Sequence, residues 1–225
     1  MASTRKVAEA LDYALNMIKA QPVKRLHKNI LQAALNHLWM AAPWRFSLGN
    51  VTAITQSSTQ DYTQAPPADF LYPVYAYLSD STNVRYLKIE PIFAEDVVQT
   101  GLPSRVSYMG SNTWRVYPKP GAAPGITTKL NIVYKKTCLL LTDKNIYDTA
   151  GIQVFDDEWF HVYEAGVLYF AYLYADDQRA GSAKVSSEGK FEFSGQLAIF
   201  EAFIQLMKQR EPLPIFGIKT APARS

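Results

Sequence analysis

The amino-acid sequence predicts an α+β fold, mainly α, in which a four-helix bundle from both chain ends carries an inserted lobe of β-strands. Three observations predict this fold. Residues 1–43 and 151–211 place apolar side chains at helical spacing, residues 44–150 show the alternation of strands, and residues 212–225 are rich in proline. The simplest packing lets the two helical pairs share one core and leaves the last residues as an extended arm.

The N-terminal helical pair comes from residues 1–43. The spacing predicts a first helix that ends at Pro22, because proline cannot continue a helix, and a second that runs from near Val23 to just before Pro43. The predicted apolar stripes consist of Val7, Leu11, Ala14, Leu15 and Ile18 in the first helix and of Leu31, Ala34, Leu35 and Leu38 in the second. The two helices form one half of the predicted bundle.

The β lobe is predicted from residues 44–150. The stretches that predict strands are FSLGNVTAITQ, PADFLYPVYAYLSD, VRYLKIEPI, the two halves of RVSYMGSNTWRVYPK around its GSN turn, and KLNIVYKKTCLLL. Between them, AEDVVQTG predicts at most a short helix closed by Gly101, and PKPGAAPGITT predicts a loop. Cys138 lies in the last strand-like stretch, where we expect a small buried apolar side chain.

The C-terminal helical pair comes from residues 151–211. Asp156 or Asp157 is a suitable N-cap for a third helix that continues to about Ala180 and ends at Gly181. SAKVSSEGK then predicts a loop, and Pro212 ends a fourth helix. The apolar seam of this fourth helix consists of Phe193, Leu197, Phe200, Ile204 and Met207.

The third helix is apolar or aromatic on nearly every side, in the stretch DEWFHVYEAGVLYFAYLYADDQ. Glu164 interrupts the stretch and acidic residues flank it, whereas a membrane span needs a longer uncharged run, so we expect no membrane span. A helix that is apolar all round must be covered on more than one face. We therefore expect a neighbouring subunit to supply part of the cover.

Composition narrows the class of protein. The 225 residues are 48% hydrophobic and include fourteen tyrosines, a residue type suited to contact surfaces, while a net charge of +3 is too small to indicate nucleic-acid binding. A single cysteine excludes an internal disulfide framework and a cysteine-based zinc site. The amphipathic N-terminus lacks the apolar core of a signal peptide, so the chain is expected to stay in the cytosol where it is made.

Catalytic and metal-binding patterns are weak. Glu158 and His161 form one Glu-x-x-His pair, but a di-iron bundle site needs two such pairs, so polar residues near a helix start explain them better. Carboxylate pairs for glycoside hydrolysis could be drawn from Glu158, Glu164, Asp176 or Asp177, and nothing singles one out. We expect no catalytic site, no metal and no cofactor.

A basic cluster surrounds the junction of the first two helices and includes Lys24, Arg25 and Lys28, together with Lys19 and His27. Such clusters usually mark a solvated helix end. The alternative is a surface that faces DNA or an acidic neighbouring protein.

The order of features resembles the head-to-tail adaptor proteins of tailed bacteriophages, including the tail tubular protein A group. The likeness covers nearly the whole chain. It is carried by LWMAAPW at the end of the N-terminal helical pair, by PPADFLYPVY, by GLPSRVSYMGSNTWRVYPKP, by LNIVYKK, and by an aromatic helix that closes in YADD.

The resemblance implies a structural virion protein at the head–tail junction. It would form a dodecameric ring below the portal protein, continue the DNA channel without sequence specificity, and present a platform to the tail nozzle or tail tube protein. Tyr169 and Tyr172 would contact the next subunit while Phe170 and Leu173 face inward. The arm, residues 212–225, would dock on the portal through Leu213, Ile215, Phe216 and Ile218.

Two other functions stay open from the residues. A virion-associated cell-wall hydrolase would need two carboxylates, such as Glu158 and Glu164, to converge in a cleft. A monomeric nucleic-acid-binding module would use Lys24, Arg25 and Lys28 and bind DNA with a steep salt dependence.

Overall fold

A computed structural model describes residues 5–18, 22, 24–54, 60–79, 84–90, 100–121, 129–147 and 157–211. The chain divides into two compact units. Met1–Phe46 and Cys138–Ser225 together form a helical unit, and Ser47–Thr137 forms a sheet unit.

The helical unit is built around one central helix. Its helices are α1 (Val7–Met17), α2 (His27–Ala41), α3 (Asp143–Tyr147), α4 (Phe160–Tyr174) and α5 (Gly195–Arg210). Helices α1, α2 and α5 each pack on α4, whereas α1 and α2 barely contact each other. Because α4 is apolar on most faces, it can serve three neighbours at once.

Side chains predicted from the helical stripes form the core of this unit. Val7, Leu11, Leu31, Leu35, Leu38, Phe200, Ile204 and Met207 are all buried. Gly166 on α4 lets α5 approach closely, because a Cβ atom at this position would lie 2.6 Å from the ring of the fully buried Phe200. The hydroxyl of Tyr163 donates a hydrogen bond to the Leu31 carbonyl oxygen at 3.0 Å and so ties α4 to α2.

The sheet unit contains a curled seven-stranded sheet. Its strand order is β1-β9-β3-β4-β6-β7-β2, and every pair is antiparallel except β4 with β6. The strands of this unit are β1 (Leu48–Ile54), β2 (Asp61–Thr63), β3 (Phe70–Ser79), β4 (Val84–Ile89), β5 (Thr100–Gly101), β6 (Arg105–Gly110), β7 (Thr113–Tyr117), β8 (Lys119–Pro120) and β9 (Lys129–Lys136). Strands β5 and β8 form a separate parallel pair.

One face of the sheet carries the second hydrophobic core. Its buried residues are Tyr62, Ala76, Leu78, Leu87, Val106, Trp114, Val116, Leu130 and Ile132. They alternate along their strands with residues of the opposite face, as the two-residue period of a strand requires. Trp114 is fully buried, and Phe70 packs edge-on against it at a ring-centroid distance of 6.0 Å.

The predicted fold class, a mainly α four-helix bundle, is wrong. Strands make up 32% of the described residues, and seven of them join in one curled sheet. Periodicity identified most strands singly but could not show that β1 pairs with β9 and β2 with β7, which are distant in sequence. The helical unit also differs from the predicted four-helix bundle, because it contains the additional helix α3 and because α1, α2 and α5 all pack on the central helix α4.

Several boundaries need correction as well. SAKVSSEGK is not a loop, because it forms most of a hairpin of β10 (Ala183–Val185) and β11 (Phe191–Phe193), and Phe193 therefore lies in a strand. The third helix ends early, because Asp176 adopts a left-handed φ of 54°. Cys138 follows β9 and is only partly buried. The short helix predicted from AEDVVQTG falls mostly outside the described residues, and its last two residues form β5.

Candidate functional site

Helix α4 is covered mainly by its own chain. Most of its residues are buried, among them Tyr163 and Val167, which have no exposed surface. The expectation that a single copy cannot cover this helix is therefore wrong for most of its length. The exposed apolar surface lies at its C-terminal end, where Leu173 is 49% exposed and Tyr174 is 43% exposed. Leu173 thus faces solvent and not the core.

Tyr169 and Tyr172 lie in different surroundings. The side chain of Tyr172 is buried, and the guanidinium carbon of Arg179 lies 4.4 Å from its ring centroid. Tyr169 is partly buried, with its ring 4.8 Å from that of Phe170, and burial together with the nearby charge of Glu201 raises the pKa of its hydroxyl. Contact of either tyrosine with another subunit stays a prediction.

Glu164, the one acidic residue within α4, is held by an ion pair. Arg5 Nη2 lies 2.8 Å from Glu164 Oε1, and Arg5 Nε lies 3.1 Å from Glu9 Oε2. The Arg5 guanidinium also stacks on the ring of Phe160 at 3.9 Å. A hydrogen bond from the backbone N–H of Lys6, followed by the contacts with Arg5, lowers the pKa of Glu9. This network fixes α1 on α4.

The Glu-x-x-His pair sits on the surface of the helical unit. Glu158 is exposed, with an oxygen 3.6 Å from Arg210 Nη1, and the exposed His161 ring packs edge-on against Phe203 at 5.1 Å. Across the part of the chain that the structure describes, no group of three or more His, Cys, Asp and Glu side chains is placed to hold a metal ion. Nor does any helix there have the length and apolar character of a membrane span.

Three members of the predicted basic cluster, Lys24, His27 and Lys28, border a cleft. Lys24, Arg25 and Lys28 are exposed, whereas Lys19 lies outside the described residues. The cleft has a volume of about 290 Å³ and is lined by Leu11, Lys24, His27, Lys28, Leu31, Asp143, Ile146 and Tyr147. Its floor is apolar, and its rim carries Lys24 and Lys28 together with the exposed carboxylate of Asp143, so the two lysines are the groups that can pair with an acidic side chain of another protein.

A cluster of tyrosines lies on the face of the sheet opposite to its core. Tyr77 and Tyr86 are cross-strand partners with ring centroids 5.9 Å apart, and Tyr75 lies 6.4 Å from Tyr77. Burial, followed by the neighbouring tyrosines, raises the pKa of Tyr75. Tyrosines of this kind combine apolar area with a polar tip and are typical of protein contact surfaces.

The sequence reasoning missed an exposed apolar surface of the helical unit. It lies on the β10–β11 hairpin, where Val185 is 63% exposed and Phe191 is 69% exposed. The signal was present, because AKV and FEF alternate on either side of the turn-forming SSEGK. The predicted arm residues Leu213, Ile215, Phe216 and Ile218 lie outside the described residues.

Exposed aromatic and apolar side chains such as Tyr174, Val185 and Phe191 are typical of a protein that works through contacts with other macromolecules. The family model described as SU10 adaptor protein matches residues 7–211, and the chain belongs to that family. It is therefore a structural adaptor of a bacteriophage, a virion component of the head–tail junction that interacts with other virion components. The family is not a known enzyme family. None of the curated proteins matches the chain.

Proposed function

We propose that the chain forms a ring between the portal and the tail nozzle and continues the DNA channel across the head–tail junction. The observation that carries this proposal is the match of the adaptor family over residues 7–211. A closed ring joins two different patches of each subunit in a head-to-tail contact. The exposed apolar residues of the helical unit supply surfaces for such a contact. Twelve subunits are the number that the resemblance to known adaptors implies.

The C-terminal arm is assigned to the portal in this proposal. Proline restricts the backbone before binding, so an extended arm loses less conformational entropy when it docks. Leu213, Ile215, Phe216 and Ile218 supply four large apolar side chains within six residues, and burial in portal pockets would remove them from water.

The two remaining surfaces are assigned to other partners. Lys24 and Lys28 border a cleft with an apolar floor, and this combination favours an acidic partner protein over the DNA backbone. The tyrosine cluster of Tyr75, Tyr77 and Tyr86 is assigned to the tail nozzle or tail tube protein, because tyrosine is enriched in protein interfaces. DNA would pass through the ring without sequence-specific contacts.

The test of arm docking compares two variants of the full chain. In one, Leu213, Ile215, Phe216 and Ile218 are replaced by Ser; in the matched control, Ala221→Ser and Ala223→Ser alter the same arm without removing a large apolar side chain. We expect the first variant to lose binding to the purified portal of the same phage by at least about tenfold, because four apolar anchors are lost. The control should bind like the unaltered chain, and both should keep its melting temperature.

Equal portal binding by the unaltered chain and the apolar-arm variant would contradict arm docking. If the chain were a cell-wall hydrolase, it would turn over peptidoglycan, and Glu158→Gln or Glu164→Gln would abolish this activity. The rival nucleic-acid module would instead bind DNA as a monomer, with affinity that falls steeply with salt.

A further inference from the structure

The β10–β11 hairpin has one apolar face and one charged face. Val185 pairs with Phe191 and Ala183 with Phe193, whereas Lys184 pairs with Glu192 on the opposite face. Every residue of both strands is exposed, and the rings of the two phenylalanines stack at 6.4 Å. A two-stranded hairpin cannot bury such a face by itself.

The hairpin is held in place at both ends. At its tip, Ser186 N donates to Lys190 O at 2.8 Å, and Gly189 takes a φ of 75°. At its base, Ser182 N donates to Ser194 Oγ and Ser194 N donates to Ser182 O, both at 3.0 Å. The exposed apolar face therefore belongs to a hairpin whose backbone is held by hydrogen bonds at both ends.

A second exposed apolar surface lies on α5, which we call the outer α5 stripe and define as Ile199, Ala202 and Leu206, with the half-buried Phe203 at its edge. Ile199 is 48% exposed and Leu206 is 37% exposed, and the step of seven positions from one to the other corresponds to about 10 Å along the helix. The opposite face of α5 packs in the core through Leu197, Phe200, Ile204 and Met207. Helix α5 is thus apolar on two faces, of which its own chain covers one.

We propose that the apolar face of the hairpin in one copy packs on the outer α5 stripe of the next copy. This inference rests on the proposed ring, because a closed ring needs one protruding patch and a different receiving patch on every subunit. Both patches are exposed in the same chain, so they do not cover each other within one copy.

Size and charge favour a second copy as the occupant. The hairpin face extends about 7 Å along its strands and about 5 Å across them, which fits along a stripe of about 10 Å. The charged residues of the hairpin are Lys184, Glu188, Lys190 and Glu192, two positive and two negative. The hairpin therefore offers no net charge to attract DNA or a strongly charged partner.

The contact is small for an isolated pair of subunits. Aromatic side chains carry about 150–250 Å² each, so the exposed parts of Phe191 (69%) and Phe193 (41%) amount to on the order of 200 Å². A stable complex buries about 800 Å² on each partner. We therefore expect weak self-association of the free chain and firm contact within the ring.

The test is intermolecular crosslinking of full chains that carry Cys138→Ser. Val185→Cys with Leu206→Cys places one thiol on each patch, and a short bismaleimide traps even transient encounters. We expect a ladder of covalent oligomers on a denaturing gel. The matched control, Lys184→Cys with Leu206→Cys, moves the first thiol to the charged face of the hairpin and should give at least about tenfold less ladder. Equal ladders, or no ladder in either variant, would overturn the inference.

A second measurement separates this inference from the proposed function. In the variant Phe191→Ser with Phe193→Ser, only exposed side chains change, so the melting temperature should stay the same while ring formation on the portal is lost. Rings that form equally well with this variant would overturn the hairpin contact and leave the ring proposal intact.

If the unaltered chain forms no ring on the portal, the ring proposal fails, and a ladder specific to Val185→Cys would still support the hairpin contact. Loss of portal binding without specific crosslinking would mean that the hairpin serves the portal, which also overturns the inference.

Discussion

At the scale of single residues, Tyr134 shows how a cross-strand pair stabilises the sheet unit. Its ring lies over Gly49 on the neighbouring strand β1, where any larger residue would overlap with the ring. Its hydroxyl donates a hydrogen bond to Asp69 Oδ1 at 2.9 Å. Burial, the hydrogen bond to Asp69 and the charge of that carboxylate together raise the pKa of Tyr134 to about 12.

This pKa predicts a loss of stability at high pH. An unfolded tyrosine ionises near pH 10, whereas the folded Tyr134 keeps its proton up to about pH 12, so its contribution is fully present below pH 10 and is lost as the pH rises through this window. In urea unfolding at several pH values, Tyr134→Phe should reduce the fall in the free energy of unfolding between pH 10 and 12 by about 2–3 kcal/mol. The exposed Tyr72→Phe serves as the control, and an unchanged slope in Tyr134→Phe would contradict the assignment.

At the scale of elements, helices were predicted better than strand pairings. Leu31 and Leu35 on α2, and Phe200 and Ile204 on α5, are buried as their spacing predicted, because a helix face depends only on neighbours in sequence. The pairing of β1 with β9 depends on residues far apart in the chain, which no local period can show. The hairpin of β10 and β11 was missed because each strand is only three residues long and the small and charged residues SSEGK between them are typical of a loop.

The base of this hairpin gives a prediction at the same scale. Gly181 combines a φ of 79° with a ψ of −171°, a region almost restricted to glycine, and a Cβ atom there would overlap with the backbone oxygen of Ser194. Gly181→Ala should therefore lower the free energy of unfolding by about 3 kcal/mol or more, measured with urea. Gly189→Ala is the control, because its φ is also positive but nothing lies within 4 Å, and it should cost about 1–2 kcal/mol. Equal losses of unfolding free energy in the two variants would show that the close approach of Gly181 to the Ser194 backbone does not contribute to stability.

At the scale of the whole molecule, sequence order was more informative than composition. The succession of segments from LWMAAPW to YADD indicated an adaptor, and the family match over residues 7–211 confirms that assignment. The division at 1–43, 44–150, 151–211 and 212–225 stays a prediction. The candidate site could be predicted only in part, because burial of Tyr172 and exposure of Phe191 depend on contacts between helices and strands that no single segment reveals.

Helix α4 is covered mainly by helices of its own chain. Its apolar faces are needed by α1, α2 and α5 within one copy, so an all-round apolar helix does not by itself require a neighbour. The exposed apolar surfaces left for neighbours include the hairpin, the outer α5 stripe and the end of α4. These surfaces offer contacts for the proposed ring, which rests on the match of the adaptor family.

The most direct test of that proposal is an electron cryo-microscopy map of the native phage particle. The account predicts a closed ring of this chain between portal and tail, with Phe191 and Phe193 of each copy against Ile199 and Leu206 of the next. A map that places the chain elsewhere in the particle, or that shows single copies at the head–tail junction with no sister copy against the helical unit, would contradict it.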